Sequence, residues 1–202
     1  MPEIVTTLPF LALTAALAYL IGSIPFGMVF ARLFGLGDLR QIGSGNIGAT
    51  NVLRTGNKLA AALTLIFDVG KGGIAVVVAR AVFAEDAGQL AGFAAFLGHC
   101  FPIYLRFKGG KGVATWLGTL LGLAWPVFLA AGATWLVTAG LFRISSLAAL
   151  VAALLTPLWA WLLGFPSMVV LLIALGVLIY IRHAGNIRRI LDGTESRIGK
   201  KT

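Results

Sequence analysis

Long apolar runs alternate with short polar segments along the whole chain. The first run covers about residues 8–34, and Pro25 inside it predicts a kink. Polar, glycine-rich sequence then extends to Lys58. A second run, about 59–83, carries Asp68 and Lys71. A short acidic turn with Glu85 and Asp86 leads into a third, about 88–105. After "RFKGGKG", residues 106–112, an unbroken apolar stretch covers 113–142 and stops at Arg143. Two more runs, about 146–163 and 166–181, meet at Gly164–Pro166, and a basic tail starts at Arg182. A helix needs roughly 20 apolar residues to cross a hydrocarbon core of about 30 Å, so these runs predict membrane helices.

The stretch 113–142 fits one long helix, or two short ones turning near Trp125–Pro126. Charge decides between them. With two helices, loops 35–58 and 106–112, the Arg143 turn and the tail share one face with Arg32. That face then holds all of the 16 Lys and Arg except Lys71 and Arg80. With one helix the two faces would share the charges evenly. The positive-inside rule favours the first arrangement. The expected fold is therefore an all-α integral membrane protein of seven transmembrane helices, with the N-terminus outside and the C-terminus cytoplasmic. Spans four and five are short in this reading.

Composition agrees. Hydrophobic residues make up 59% and charged residues 11%, against about 25% charged in soluble domains. The net charge of +9 is explained by basic cytoplasmic loops or an anion site, so no nucleic-acid partner is expected. Cys100 is the one cysteine, which excludes an intrachain disulfide. The start, MPEIVTT, has no Lys or Arg and so lacks the basic region of a signal peptide; the first run should remain as a span. The 26 glycines suit close helix packing. A single membrane-embedded domain, 1–202, is expected.

Three polar segments carry candidate chemistry. "GSGNIGATNVLR", 43–54, has the G-x-G-x-x-G spacing, but no strand–turn–helix unit surrounds it, so a dinucleotide site is excluded. Its glycines, including Gly45, permit an anion-binding nest of N–H groups. Ser44, Asn46, Thr50 and Asn51 add neutral polar groups, and Arg54 adds a fork for phosphate. "KGGKGVAT", 108–115, places Lys108 and Lys111 about Gly109, Gly110 and Gly112 where a helix should begin, which is an anion site by dipole and by charge. The tail "HAGNIRRILDGTESR", 183–197, offers His183, Asn186 and Glu195, while Arg188, Arg189 and Arg197 suit lipid headgroups. Asp68 and Lys71, three apart within a span, are expected to pair. His99 is read as a buried, hydrogen-bonded core histidine and Cys100 as packing. No metal cluster and no cofactor motif is legible. Neither His99 nor His183 begins an H-x-x-x-x-D, the acid–base pair of many acyl-CoA acyltransferases.

Taken together, "GSGNIGATNVLR", "GHCFPIYLRFKGGKGVAT", "HAGNIRRILDGTES" and "FDVGKGG" at 67–73 resemble the acyl-phosphate-using glycerol-3-phosphate acyltransferase family of bacterial inner membranes (PlsY) over nearly the whole chain. "RISS", 143–146, is a looser match, with Ile144 where the family usually has an aromatic, and it carries over Ser146. The resemblance implies seven helices and a cytoplasmic site. It also implies transfer of a fatty acyl group from acyl phosphate to the 1-hydroxyl of sn-glycerol 3-phosphate, giving lysophosphatidic acid and phosphate at the start of phospholipid synthesis.

Lys111, Arg54 and His183 are the candidate catalytic residues. Ser44, Gly45, Asn46, Thr50, Asn51, Gly109, Gly110, Gly112, Ser146, Asn186 and Glu195 are the candidate binding or bracing residues. Expected partners are the two substrates and membrane lipids. Acyl phosphate is already activated, so direct attack without an acyl-enzyme is expected. The proton goes either to His183 or to a substrate phosphate oxygen. Two rivals remain: a transporter of an organic phosphate, disfavoured by the absence of an internal repeat, and a non-catalytic protein binding anionic lipid, disfavoured by the clustered Asn, Ser and Gly.

Overall fold

The computed structural model describes residues 1–199 and is helical throughout, with no strand among the described residues. The helices are α1 (Leu8–Gly22), α2 (Phe26–Leu33), α3 (Ala49–Leu53), α4 (Lys58–Val82), α5 (Glu85–Cys100), α6 (Val113–Leu123), α7 (Trp125–Phe142), α8 (Ser145–Leu162), α9 (Val169–Arg182) and α10 (Ala184–Leu191). Single 3-10 turns lie at Leu39–Gln41, Ile103–Leu105 and Pro166–Met168.

The first apolar run breaks at Ser23–Pro25, as Pro25 predicts, and the stretch 113–142 breaks at Ala124, where the backbone turns extended. Among the described residues, four segments are long and apolar enough to cross a membrane: α1 with α2, α4, α7 and α8. A fifth is α9 with the bent α10. The shortfall against seven lies in α5 and α6. At 1.5 Å per residue, the 11 residues of α6 reach only about 16 Å. Helix α5 has 16 residues and opens on Glu85 and Asp86. The fold is thus that of a multi-pass helical membrane protein.

The chain divides into two compact units, Ile4–Leu123 and the chain from Ala124 onward with Met1–Glu3. In the first, α5 packs on α1 and α4, and α4 packs on α6. Glycines make these contacts possible. A Cβ on Gly22 would run into the Ala95 carbonyl, and one on Gly98 into that of Tyr19. Between α4 and α6, Gly72 meets the Thr115 carbonyl and Gly118 that of Val69 in the same way. This is backbone-on-backbone approach through small residues. The break in the first run is braced from inside: Lys71 Nζ donates to the Ile24 carbonyl at 2.9 Å and lies 2.7 Å from Asp68 Oδ1. The expected Asp68–Lys71 pair therefore forms, with both side chains 2% exposed. At the opposite end of α5, Asp86 accepts from Val5 N, Thr6 N and Thr6 Oγ1 at 2.8–3.1 Å. Desolvation pushes its carboxyl up, but these donors win and hold it below the usual aspartate range.

In the second unit α8 packs on α7 and α9. Trp159 Nε1 donates to Thr134 Oγ1 at 3.1 Å, and Tyr180 OH donates to the Leu150 carbonyl at 3.2 Å. Pro157 lies inside α8 and cannot donate to the Ala153 carbonyl. Gly176 of α9 leaves room above that carbonyl.

Candidate active site

The first polar loop is more ordered than its glycines suggest. It contains the 3-10 turn at Leu39–Gln41, capped by Asp38 Oδ1 accepting from Arg40 N, and the short helix α3. Asn51 sits at its centre, 1% exposed. Its Oδ1 accepts from Ser44 N at 3.1 Å, from Ser44 Oγ at 3.3 Å and from Arg54 Nη1 at 3.3 Å. Its Nδ2 donates to the Leu39 carbonyl at 2.9 Å. One buried amide thus ties together both ends of the loop, Ser44 and the Arg54 guanidinium. Asn51, a candidate binding residue, is thus enclosed within the loop with its amide given to Ser44, Arg54 and the Leu39 carbonyl. Gly45 turns the chain with φ of +67°, a region closed to most residues with a Cβ. Asn46 is half-buried and Thr50 exposed on the same loop.

The second loop follows α5. Arg106 and Phe107 both hold left-handed backbone, with φ of 52° and 62°. For residues with a Cβ this costs ~1–2 kcal/mol each, strain of the kind that gathers at functional loops. Gly110 N donates to the His99 carbonyl at 3.1 Å. Gly112 has φ of +82° and lies against the ring of Phe96, so a side chain there would meet both strain and a clash. Helix α6 starts at the next residue, Val113, so Gly109, Gly110, Lys111 and Gly112 lead into a helix N-terminus as the sequence predicts. The two loops touch: Arg40 Nη2 donates to the Lys108 carbonyl at 3.3 Å. Arg40 was not singled out in the sequence, because nothing in its spacing reveals a partner 68 residues away.

The third segment belongs to the second unit and centres on Glu195. Its Oε1 accepts from Ser146 Oγ at 2.8 Å and from Asn186 Nδ2 at 2.6 Å. Its Oε2 pairs with Arg189 Nε at 2.6 Å. Burial pushes this carboxyl up, but the three donors overcome it and keep Glu195 below the usual glutamate range. Arg189 was assigned to lipid headgroups by sequence; its Nε is instead given to Glu195. Arg188 remains exposed. The tail is fastened further by Ile198 N donating to the Arg143 carbonyl at 2.6 Å, and by Arg143 Nη2 donating to the Ile198 carbonyl at 3.1 Å.

His183 stands at the 62° bend between α9 and α10, 3% exposed. Its Nδ1 is 2.8 Å from the Ile179 carbonyl. A carbonyl only accepts, so Nδ1 carries a proton. Ser146, Asn186 and Glu195 are therefore brought together within the second unit, with His183 three residues before Asn186 at the start of α10. Ser44, Asn51 and Arg54 are brought together within the first, and the Arg40–Lys108 bond ties their loop to the one that carries Gly109–Gly112.

The glycerol-3-phosphate acyltransferase family matches residues 12–193. A glycerol-3-phosphate acyltransferase of Jannaschia sp. (strain CCS1) is 69% identical over 199 residues, 98% of each chain. One of Dinoroseobacter shibae is 64% identical over 201 residues, 100% of this chain and 99% of that one. Among solved structures, PlsY (YgiH), an integral membrane glycerol 3-phosphate acyltransferase, in its glycerol 3-phosphate form superposes with a TM-score of 0.89 at 40% identity, covering 94% of this chain and 96% of that one. Its lysophosphatidic acid form gives a TM-score of 0.85 at 37% identity, covering 94% and 95%.

Proposed function

The chain belongs to the glycerol-3-phosphate acyltransferase family, and from that premise we propose that it transfers a fatty acyl group from acyl phosphate to the 1-hydroxyl of sn-glycerol 3-phosphate. The observation that carries this reading is the pair of tethered loops in the first unit: Asn51 Oδ1 accepts from both Ser44 and Arg54, and Lys111 lies among glycines just before α6. A reaction whose two substrates both carry phosphate needs such loops.

In the proposed reaction the 1-hydroxyl oxygen attacks the acyl carbonyl carbon. The bond from that carbon to the phosphate oxygen breaks, and inorganic phosphate leaves. Phosphate is a good leaving group, so no acyl-enzyme is required. Arg54 and Lys111 balance the charge of the phosphates and of the developing oxyanion. The proton of the attacking hydroxyl goes either to a phosphate oxygen of a substrate or to His183. Ser44, Gly45, Asn46, Thr50, Gly109, Gly110 and Gly112 supply the neutral lining. Asn51 holds Ser44 and Arg54, while Glu195 braces Ser146, Asn186 and Arg189 in the second unit.

Seven spans, an outside N-terminus and polar segments facing the cytoplasm at a bacterial inner membrane complete the proposal. The distribution of Lys and Arg supports them. The test is direct: purified protein with acyl phosphate and labelled glycerol 3-phosphate should yield labelled lysophosphatidic acid and phosphate. Glycerol 3-phosphate bound but never acylated would favour a transporter instead.

A further inference from the structure

We propose that His99 is a positioning residue that holds the Gly109–Gly110 backbone from beneath and so presents Lys111 and the first turn of α6 to phosphate. The proposal rests on the reading of that loop as a phosphate site. His99 lies in the last turn of α5, 5% exposed. Its carbonyl accepts from Gly110 N at 3.1 Å. Its ring lies against the loop so closely that a Cβ on Gly110 would overlap Nε2, while a Cβ on Gly109 would overlap the His99 carbonyl. The glycine pair is thus required on its protein side, where sequence alone suggests only close approach by a ligand.

The other side of the ring is backed by charge. Nδ1 lies 3.6 Å from Asp68 Oδ1, and that oxygen is 2.7 Å from Lys71 Nζ. Lys71 in turn donates to the Ile24 carbonyl at the break of the first run, with its ammonium 5.6 Å from the Phe26 ring centre. A contiguous line of buried polar groups therefore runs from the α1–α2 break through α4 to the end of α5 and the glycine loop. Ionisable groups in a membrane interior are costly and are rarely kept without a task. A histidine needed only for packing has no use for a buried carboxylate behind it. A supporting group that locks the orientation of a loop-bearing side chain does.

The experiment uses the intact enzyme in detergent and two independent readouts. Hydrogen exchange reads the loop without substrate. In His99→Ala, amides of residues 109–112 should exchange at least tenfold faster, while α8 and α9 stay unchanged. Steady-state kinetics read the phosphate site. KM for at least one of acyl phosphate and glycerol 3-phosphate should rise at least tenfold, with kcat within threefold of wild type.

A double variant probes the steric contact. Gly110→Ala should be severely impaired alone, yet cost less than threefold further in the His99→Ala background, where the ring it strikes is gone. His99→Gln, which keeps length and polarity, should fall between wild type and His99→Ala on both readouts. If His99→Ala does not fold, His99→Gln and Asp68→Asn carry the same test. Unchanged exchange at 109–112, or faster exchange with KM unchanged for both substrates, overturns the inference. A wild-type enzyme that makes no lysophosphatidic acid would sink the functional reading, and the exchange result would stand apart from it.

Discussion

Arg54 and Asn51 look interchangeable in sequence as polar members of one motif, but their surroundings give them different tasks. Arg54 is partly exposed at the end of α3, whereas the Asn51 amide is enclosed and has both of its ends engaged. Deleting a charged partner of phosphate costs about 1.5–3 kcal/mol, so Arg54→Ala and Lys111→Ala should each lose roughly ten- to hundredfold or more in kcat/KM and melt near the wild-type temperature. Asn51→Ala strands Ser44 N and the Leu39 carbonyl, at about 1–3 kcal/mol for buried groups left unmade. It should lose both activity and thermal stability, and a detergent melt beside the kinetics separates the two classes. Cys100→Ser serves as a near-neutral control. Glu195 offers a pH test. Its carboxyl is held low in the folded state, so its contribution is fully present at neutral pH and is lost as pH falls through the depressed value. The stability gap between wild type and Glu195→Gln should be constant from neutrality to about pH 5 and close below about pH 4; a gap that widens in acid would contradict the assignment. The polar residue types gathered in these segments were legible in sequence, as was a bracing part for Glu195. The enclosure of Asn51, the bond from Arg40 to Lys108 and the seat of Gly110 on His99 were not, since each depends on a contact across the fold that leaves no periodic trace.

At the level of helices, apolar run length located nearly every segment. Pro25 marked the break between α1 and α2, and Trp125–Pro126 marked that between α6 and α7, which falls one residue earlier at Ala124. Less legible was α3, hidden in a glycine-rich loop whose turns obscure a five-residue helix. Glycine placement supplies a sharper test of helix packing. A methyl group on Gly118 would meet the backbone of Val69, which cannot rotate away. Gly118→Ala should therefore destabilise the protein by about 1–3 kcal/mol, the range for overpacking. Gly132→Ala on α7, where nothing lies within 4 Å of the added carbon, should not. Comparable melting temperatures for the two variants would mean that α4 and α6 do not meet as described. Topology is tested with single cysteines Gln41→Cys, Phe107→Cys and Thr194→Cys on a Cys100→Ala background. All three should resist an impermeant thiol reagent in intact cells and react once the membrane is opened. Labelling of Thr194→Cys alone from outside would restore an even number of spans.

For the whole molecule, the central claim is the choice of donor. Acyl phosphate places a compact dianion directly on the reacting carbonyl, where Lys111, Arg54 and a helix N-terminus suit it. In acyl-CoA the carbonyl carries a thioester, and the phosphates lie far along the pantetheine arm. The same loops would then be empty or filled out of register with the reaction. Near-attack geometry contributes several kcal/mol to such transfers, so misplacing the donor should lower the rate by at least about a hundredfold. The measurement is the rate of lysophosphatidic acid formation by purified enzyme, freed of other acyltransferases, from glycerol 3-phosphate with palmitoyl phosphate or palmitoyl-CoA at matched concentrations. Turnover with the acyl phosphate and a rate with the CoA ester at least about a hundredfold lower are predicted; comparable rates with both donors would contradict the account.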